Sequence, residues 1–143
     1  MRTHQHQHHH RGTLIATTHF PRRRESVRLA REWIRWMYAL TGGNDTAGEA
    51  DTCALLVSEL TTNAVEYAHG DTFAVTLWTS PLSVGVWDAS PYAPELRAPR
   101  PDDEHGRGLL LVSALAARFE VTPDDGDGGG KLCRFWLDEE RCR

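Results

Sequence analysis

The feature that most constrains the fold is a change of hydrophobic period at Gly70–Asp71. Before it, from about Thr46 to His69, Leu56, Leu60, Ala64 and Tyr67 recur at helical spacing and predict a helix with one buried side. After it, Phe73–Thr79 and Leu82–Asp88 alternate, with Ser80–Pro81 between them, and predict an antiparallel hairpin. Upstream, Thr13–Phe20 reads as a strand, its Leu14 and Ile15 lying close to β-branched threonines, and Pro21 with the basic run Arg22–Arg24 ends it. A helix over Glu25–Leu40 follows, with Val27, Ala30, Ile34, Met37 and Tyr38 on its buried side and Arg28, Arg31 and Arg35 in solvent. Trp33 and Trp36 widen its apolar face and are expected to be core, with a partner surface as the alternative. Gly42–Gly43 stops that helix.

Downstream of the hairpin, Ser90–His105 carries Pro91, Pro94, Pro99 and Pro101, which argues against regular structure and for a loop long enough to be functional. A third helix is expected from Gly106–Gly108 through Leu109, Leu110, Val112, Leu115 and Ala116. A short strand Phe119–Thr122, a turn Asp124–Gly130 and a closing strand Lys131–Leu137 complete the chain. The order β-α-α-β-β-loop-α-β-β lacks the regular alternation of parallel βαβ units and points to an α+β two-layer sandwich.

A chain of 143 residues with 40% hydrophobic and 25% charged residues fits one domain with an ordinary core. The His- and Gln-rich segment 1–12, with His4, His6, His8, His9 and His10, is expected to be a disordered tail, tag-like rather than a metal site, and 13–143 the domain. A net charge of -4 provides no general basic field, so neither nucleic acid nor acidic lipid is an expected partner. Cys53, Cys133 and Cys142 form no CxxC pair, which suits reduced thiols in a cytoplasm. No secretory apolar segment or membrane span is apparent, and Leu109–Val112 is far too short for one, so a soluble cytoplasmic protein is expected.

Three clusters bear chemistry. Glu59 and Asn63 share one face of the second helix, a turn apart, inside the mainly apolar stretch Ala54–Ala68. A carboxylate there can orient or deprotonate a nucleophile, and an amide oxygen is a hard ligand for Mg2+; the plain alternative is a solvated polar stripe. Asp88 ends a strand and precedes Ala89-Ser90-Pro91. Buried, it would accept from the adenine N6 amino group and reject guanine, whose O6 is an acceptor; the plain alternative is an Asx turn before proline. Gly106-Arg107-Gly108 opens a helix, where close backbone approach, free N–H groups and the helix dipole favour phosphate. The proline-rich loop before it is a candidate lid, with Arg97, Arg100, His105 and Arg107 in reach of phosphate. Gly128-Gly129-Gly130-Lys131 is a second candidate phosphate or lid contact, although a hairpin turn is the preferred reading. No GxxxxGK[ST] is present.

In order and spacing, these segments resemble the GHKL ATPases, the superfamily of gyrase, Hsp90, histidine kinases and MutL. Glu59-Leu60-Thr61-Thr62-Asn63-Ala64 is similar to the N box, Asp88-Ala89-Ser90-Pro91 to the first glycine-containing box and Gly106-Arg107-Gly108-Leu109 to the second. Ser90 and Pro91 stand where the broader superfamily has DxGxG. The DxSP box, the GRGL turn and the Gly130–Lys131 strand start look most like the small anti-sigma-factor serine/threonine kinases of the RsbW and SpoIIAB type and their actinobacterial relatives.

The resemblance implies the Bergerat ATP-binding fold, with a mixed, mostly antiparallel sheet and helices on one face. It implies ATP and Mg2+ as ligands, with Asn63 holding the metal, Glu59 as base or water-orienting group and Asp88 as adenine acceptor. Gly106, Arg107, Gly108 and Leu109 would form the phosphate-binding turn. It further implies phosphorylation of a STAS-type anti-anti-sigma partner, sequestration of a sigma factor, and homodimer formation. At 143 residues, neither the phosphoacceptor nor the transducer segments of the larger superfamily members are expected. The alternative function is a non-catalytic, ATP-dependent regulatory binding module.

Overall fold

The computed structural model describes residues 12–41, 48–90, 108–124 and 129–137. Its elements are β1 (Thr13–Pro21), α1 (Arg24–Leu40), α2 (Glu49–Tyr67), β2 (Thr72–Thr79), β3 (Ser83–Asp88), α3 (Gly108–Leu115), β4 (Arg118–Pro123) and β5 (Lys131–Trp136). The sequence-derived order holds throughout. The five strands form one sheet in the order β1-β2-β3-β5-β4, and every pairing is antiparallel. The expectation of a mixed sheet is thereby corrected. β3 and β4 do run in the same direction, but β5 enters between them and runs against both, so no parallel pair is hydrogen-bonded among the described residues.

Alternation along the strands separates the two sheet faces. Phe73, Val75 and Leu77 of β2, Val84 and Val86 of β3, and Cys133 and Phe135 of β5 enter one core with Ala30, Ile34 and Tyr38 of α1 and Leu56, Val57, Leu60 and Ala64 of α2. The helices therefore pack on this face. α1 and α2 are joined at their ends, where the Tyr38 hydroxyl donates to Glu49 Oε2 at 2.6 Å. On the opposite face, the Arg134 guanidinium lies 3.9 Å from the Trp78 ring centroid and 4.6 Å from that of Trp136. Its Nε donates to Ser83 Oγ at 2.8 Å, so one cation ties β2, β3 and β5 together. Gly85 lies beneath this stack: a Cβ there would come within 2.8 Å of Leu132 Cδ1 and 2.9 Å of Trp78 Cζ3.

Two burial expectations fail. Tyr67 is 67% exposed, because α2 ends there and the next residue, Ala68, turns into the core instead. Trp36 is 68% exposed, beside Leu29 at 46% and Leu40 at 65%, so it is not core. Trp33 is half-buried, its ring edge-on to Phe20 of β1 at 6.5 Å. The His-rich tail up to Arg11, the Gly42–Gly43 turn, Pro91–His105 and Cys142 lie outside the described residues. No described helix is long and apolar enough to cross a membrane.

Candidate functional site

Asp88 is the last residue of β3 and lies on the same sheet face as Val84 and Val86, so its carboxylate enters the helix-covered side. It is 5% exposed. Burying a carboxylate there costs several kcal/mol unless it is paired, and it is paired twice through one oxygen. Lys131 Nζ donates to Oδ1 at 2.8 Å, and the Ser90 backbone N–H donates to the same atom at 2.9 Å. Lys131 is the first residue of β5 and stands opposite Asp88 in the β3–β5 register. The second contact is the local Asx-type turn raised as the plain reading of this residue. It is present, and it leaves Oδ2 with no partner among the described residues.

The backbone beside this pair is fixed by Gly130. Its φ is +126°, and a Cβ there would come within 2.6 Å of the Asp88 carbonyl oxygen and 3.0 Å of Trp87 Nε1. Only glycine combines that dihedral with that approach. Gly130 and Lys131 thus act as a clamp on the end of β3. Lys131 Nζ meets Asp88, a partner that the sequence reading of this segment does not include.

Glu59 and Asn63 both lie on α2 and are half-buried, one turn apart. Leu60, Thr61 and Ala64 beside them are buried. The Asn63 side chain forms no hydrogen bond among the described residues, whereas Glu59 is engaged. α2 packs against both β3 and α3, so the helix bearing Glu59 and Asn63 touches the strand bearing Asp88 and the helix that opens at Gly108. The link between α2 and β2 brings its end beside Ala89, the residue after Asp88: a Cβ on Gly70 would meet Ala89 Cβ at 3.3 Å.

Arg22 holds that link in place. Its Nη1 donates to the Val65 carbonyl and its Nε to the Gly70 carbonyl, each at 2.7 Å, and its backbone N–H donates to the Asp71 carbonyl. A cation on carbonyls of the last turn opposes the negative end of the helix dipole and satisfies acceptors that the helix leaves open. The sequence marked Arg22 only as part of a basic run. Its partners lie more than forty positions away, and no local pattern announces them.

Gly108 is the first residue of α3 and Leu109 the second. Gly106, Arg107 and the candidate lid cations Arg97, Arg100 and His105 lie outside the described residues. Of the α3 side chains, Val112 is fully buried and fixes the helix to the core. Cys133, two residues along β5 from Lys131, has its thiol pushed up to about 12 by burial, an effect that Asp88 adds to and Lys131 opposes. It is a core residue and not a nucleophile.

An antiparallel α+β sandwich that carries a polar helix face, a buried strand-end acid and a glycine-opened helix on contiguous elements has the architecture of the Bergerat ATP-binding fold. A family model described as a histidine kinase-like ATPase domain matches residues 20–135, and the chain belongs to that family. No curated protein matches the chain. Membership assigns an ATP-binding, kinase-like function with Mg2+ as the accompanying metal. The donor set fits that ion. Among the described residues no cluster of three or more His, Cys, Asp or Glu side chains could hold a metal by itself. Mg2+ characteristically takes one or two protein oxygens and completes its shell with water and substrate phosphates, and the unclaimed Asn63 amide offers one such oxygen.

Proposed function

We propose that the protein is an ATP-dependent serine/threonine kinase of the anti-sigma-factor type. In this reading it phosphorylates a STAS-type anti-anti-sigma partner and sequesters a sigma factor, in a cytoplasm. The observation that carries the nucleotide half is the buried Asp88 carboxylate, whose Oδ2 is unclaimed while Oδ1 is held twice. An acceptor so fixed accepts from the N6 amino group of adenine, and guanine leaves it facing another acceptor. The sequence Asp88-Ala89-Ser90-Pro91, followed by Gly106-Arg107-Gly108-Leu109 and Gly130–Lys131, supports the narrower anti-sigma kinase reading.

Phosphoryl transfer depends chiefly on positioning and on neutralising charge, with little covalent work for the protein. Asp88 holds the base at the sheet end. The N–H groups of the Gly106–Gly108 turn and the start of α3 hold phosphate. Asn63 supplies an oxygen ligand to Mg2+, which when bound neutralises charge on the phosphates. Glu59, one turn before Asn63 on α2, accepts the proton of the attacking hydroxyl or orients it.

The test is to mix the chain with Mg-ATP and candidate STAS partners and weigh the partner. A mass gain of one phosphoryl group on a serine or threonine is expected. Glu59→Ala is expected to abolish that gain while ATP still binds. Wild-type protein that binds ATP, controls its partner and never transfers phosphate would instead be a non-catalytic regulatory module.

A further inference from the structure

The ATP-binding reading uses Asp88 but gives no role to the cation that neutralises it. Lys131 is 7% exposed, and its neighbours on the helix-covered side, Val86 and Cys133, are buried. A lysine in such a place has one described partner, Asp88 Oδ1, and shares that single atom with the Ser90 N–H. Two donors thus converge on one carboxylate oxygen, and none of the described residues engages the other. A pair serving stability alone gains most when both oxygens are satisfied, as an arginine fork would satisfy them. Lysine delivers its charge as a point and closes only one side of the carboxylate. Its position is not adjustable, because the Gly130 approach to the Asp88 carbonyl and the β3–β5 register fix both backbones.

We propose that Lys131 is a specificity-determining positioning residue: by engaging Asp88 through Oδ1 alone, it holds Oδ2 as the acceptor that selects adenine over guanine. This rests on the ATP-binding reading above. Lys131 acts through Asp88 and does not touch the reacting phosphate. The choice of lysine, not merely of a cation, is then what keeps the base-reading oxygen open.

The experiment compares the full chain with its Lys131→Arg and Lys131→Met variants. Binding of Mg-ATP, Mg-GTP and inorganic tripolyphosphate is measured by calorimetry, alongside the thermal midpoint. Lys131→Arg keeps the charge and gains a fork that can occupy both oxygens. It is expected to hold the wild-type midpoint or exceed it. ATP affinity is expected to fall about tenfold or more, the worth of one hydrogen bond to a charged group. GTP and tripolyphosphate binding should stay unchanged, so the ATP-to-GTP ratio collapses. Lys131→Met removes the cation and is expected to lose the ratio together with thermal stability. If it does not fold, the arginine variant decides alone. A folded Lys131→Arg protein with the wild-type ATP-to-GTP ratio overturns the inference and leaves Lys131 a structural counter-ion. A wild-type chain that binds neither nucleotide more tightly than tripolyphosphate sinks the ATP reading itself, and this inference with it.

Discussion

The two halves of the candidate site are built in opposite ways. On the sheet side, Asp88 is buried, bonded by Lys131 and the Ser90 N–H, and backed by a glycine that no other residue can replace. On the helix side, Asn63 is half-buried and its amide is unclaimed among the described residues. The first half is finished before any ligand arrives. In the proposed reading the second is completed by metal and phosphate. A site that must recognise one base and yet release its phosphates after transfer benefits from this division. Fixed dipoles at the base cost no reorganisation on binding, while an open ligand position lets the metal come and go with the nucleotide.

The division can be broken most severely at Asp88. Asp88→Ala leaves the Lys131 charge buried without a partner, a change that costs about 3–5 kcal/mol in comparable pairs. Total stabilities run to only about 5–15 kcal/mol, so a large drop in thermal midpoint is expected together with loss of adenine preference. A normal midpoint in that variant would show that the pair contributes little. Gly130→Ala tests the clamp alone. With φ at +126° and the Asp88 carbonyl 2.6 Å from the new methyl, destabilisation of about 1–3 kcal/mol is expected in denaturant melts, with weakened ATP binding.

Alkaline titration probes the dryness of the same region. Burial raises the folded-state pKa of Cys133 from 9.0 to about 12. Between those values the unfolded chain has released the thiol proton and the folded chain still binds it, so stability falls as pH rises through that window. The slope approaches one proton, ~1.4 kcal/mol per pH unit. Cys133→Ala is expected to remove that proton's share of the slope, read from denaturation midpoints between pH 8 and 11. The smallest structural effect belongs to the helix side. Asn63→Ala breaks no described side-chain hydrogen bond, so stability should change by no more than about 0.5 kcal/mol, yet the Mg2+-dependent part of ATP affinity should disappear. A large loss of stability there would place Asn63 with the preformed half.

Much of this was legible in the sequence because it is periodic. The change from helical spacing before Gly70 to alternation after it gives β2 and β3 to within a residue at each end and α2 to within about a turn, and it places Asp88 at a strand end and Glu59 with Asn63 on one helix face. Long-range pairing was not legible. The Asp88 partner of Lys131 stands across the β3–β5 ladder, where no local pattern announces it. Arg22 reads as a strand terminator because the carbonyls it caps belong to the last turn of α2 and to the link that follows it. Tyr67 and Trp36 were misassigned because helical spacing reports which side a residue faces but not where the covering layer stops. The mixed sheet failed for a related reason, since strand direction follows from where β5 inserts and no local pattern records that.

The central claim is tested most directly by titrating the wild-type chain with ATP and with GTP, each with Mg2+ and with chelator. The expected result is that ATP binds more tightly than GTP under both conditions, because the base is read by a preformed acid. Mg2+ should then tighten the nucleotide without creating the preference. Equal affinity for the two nucleotides, or a preference that vanishes when Mg2+ is removed, would contradict it.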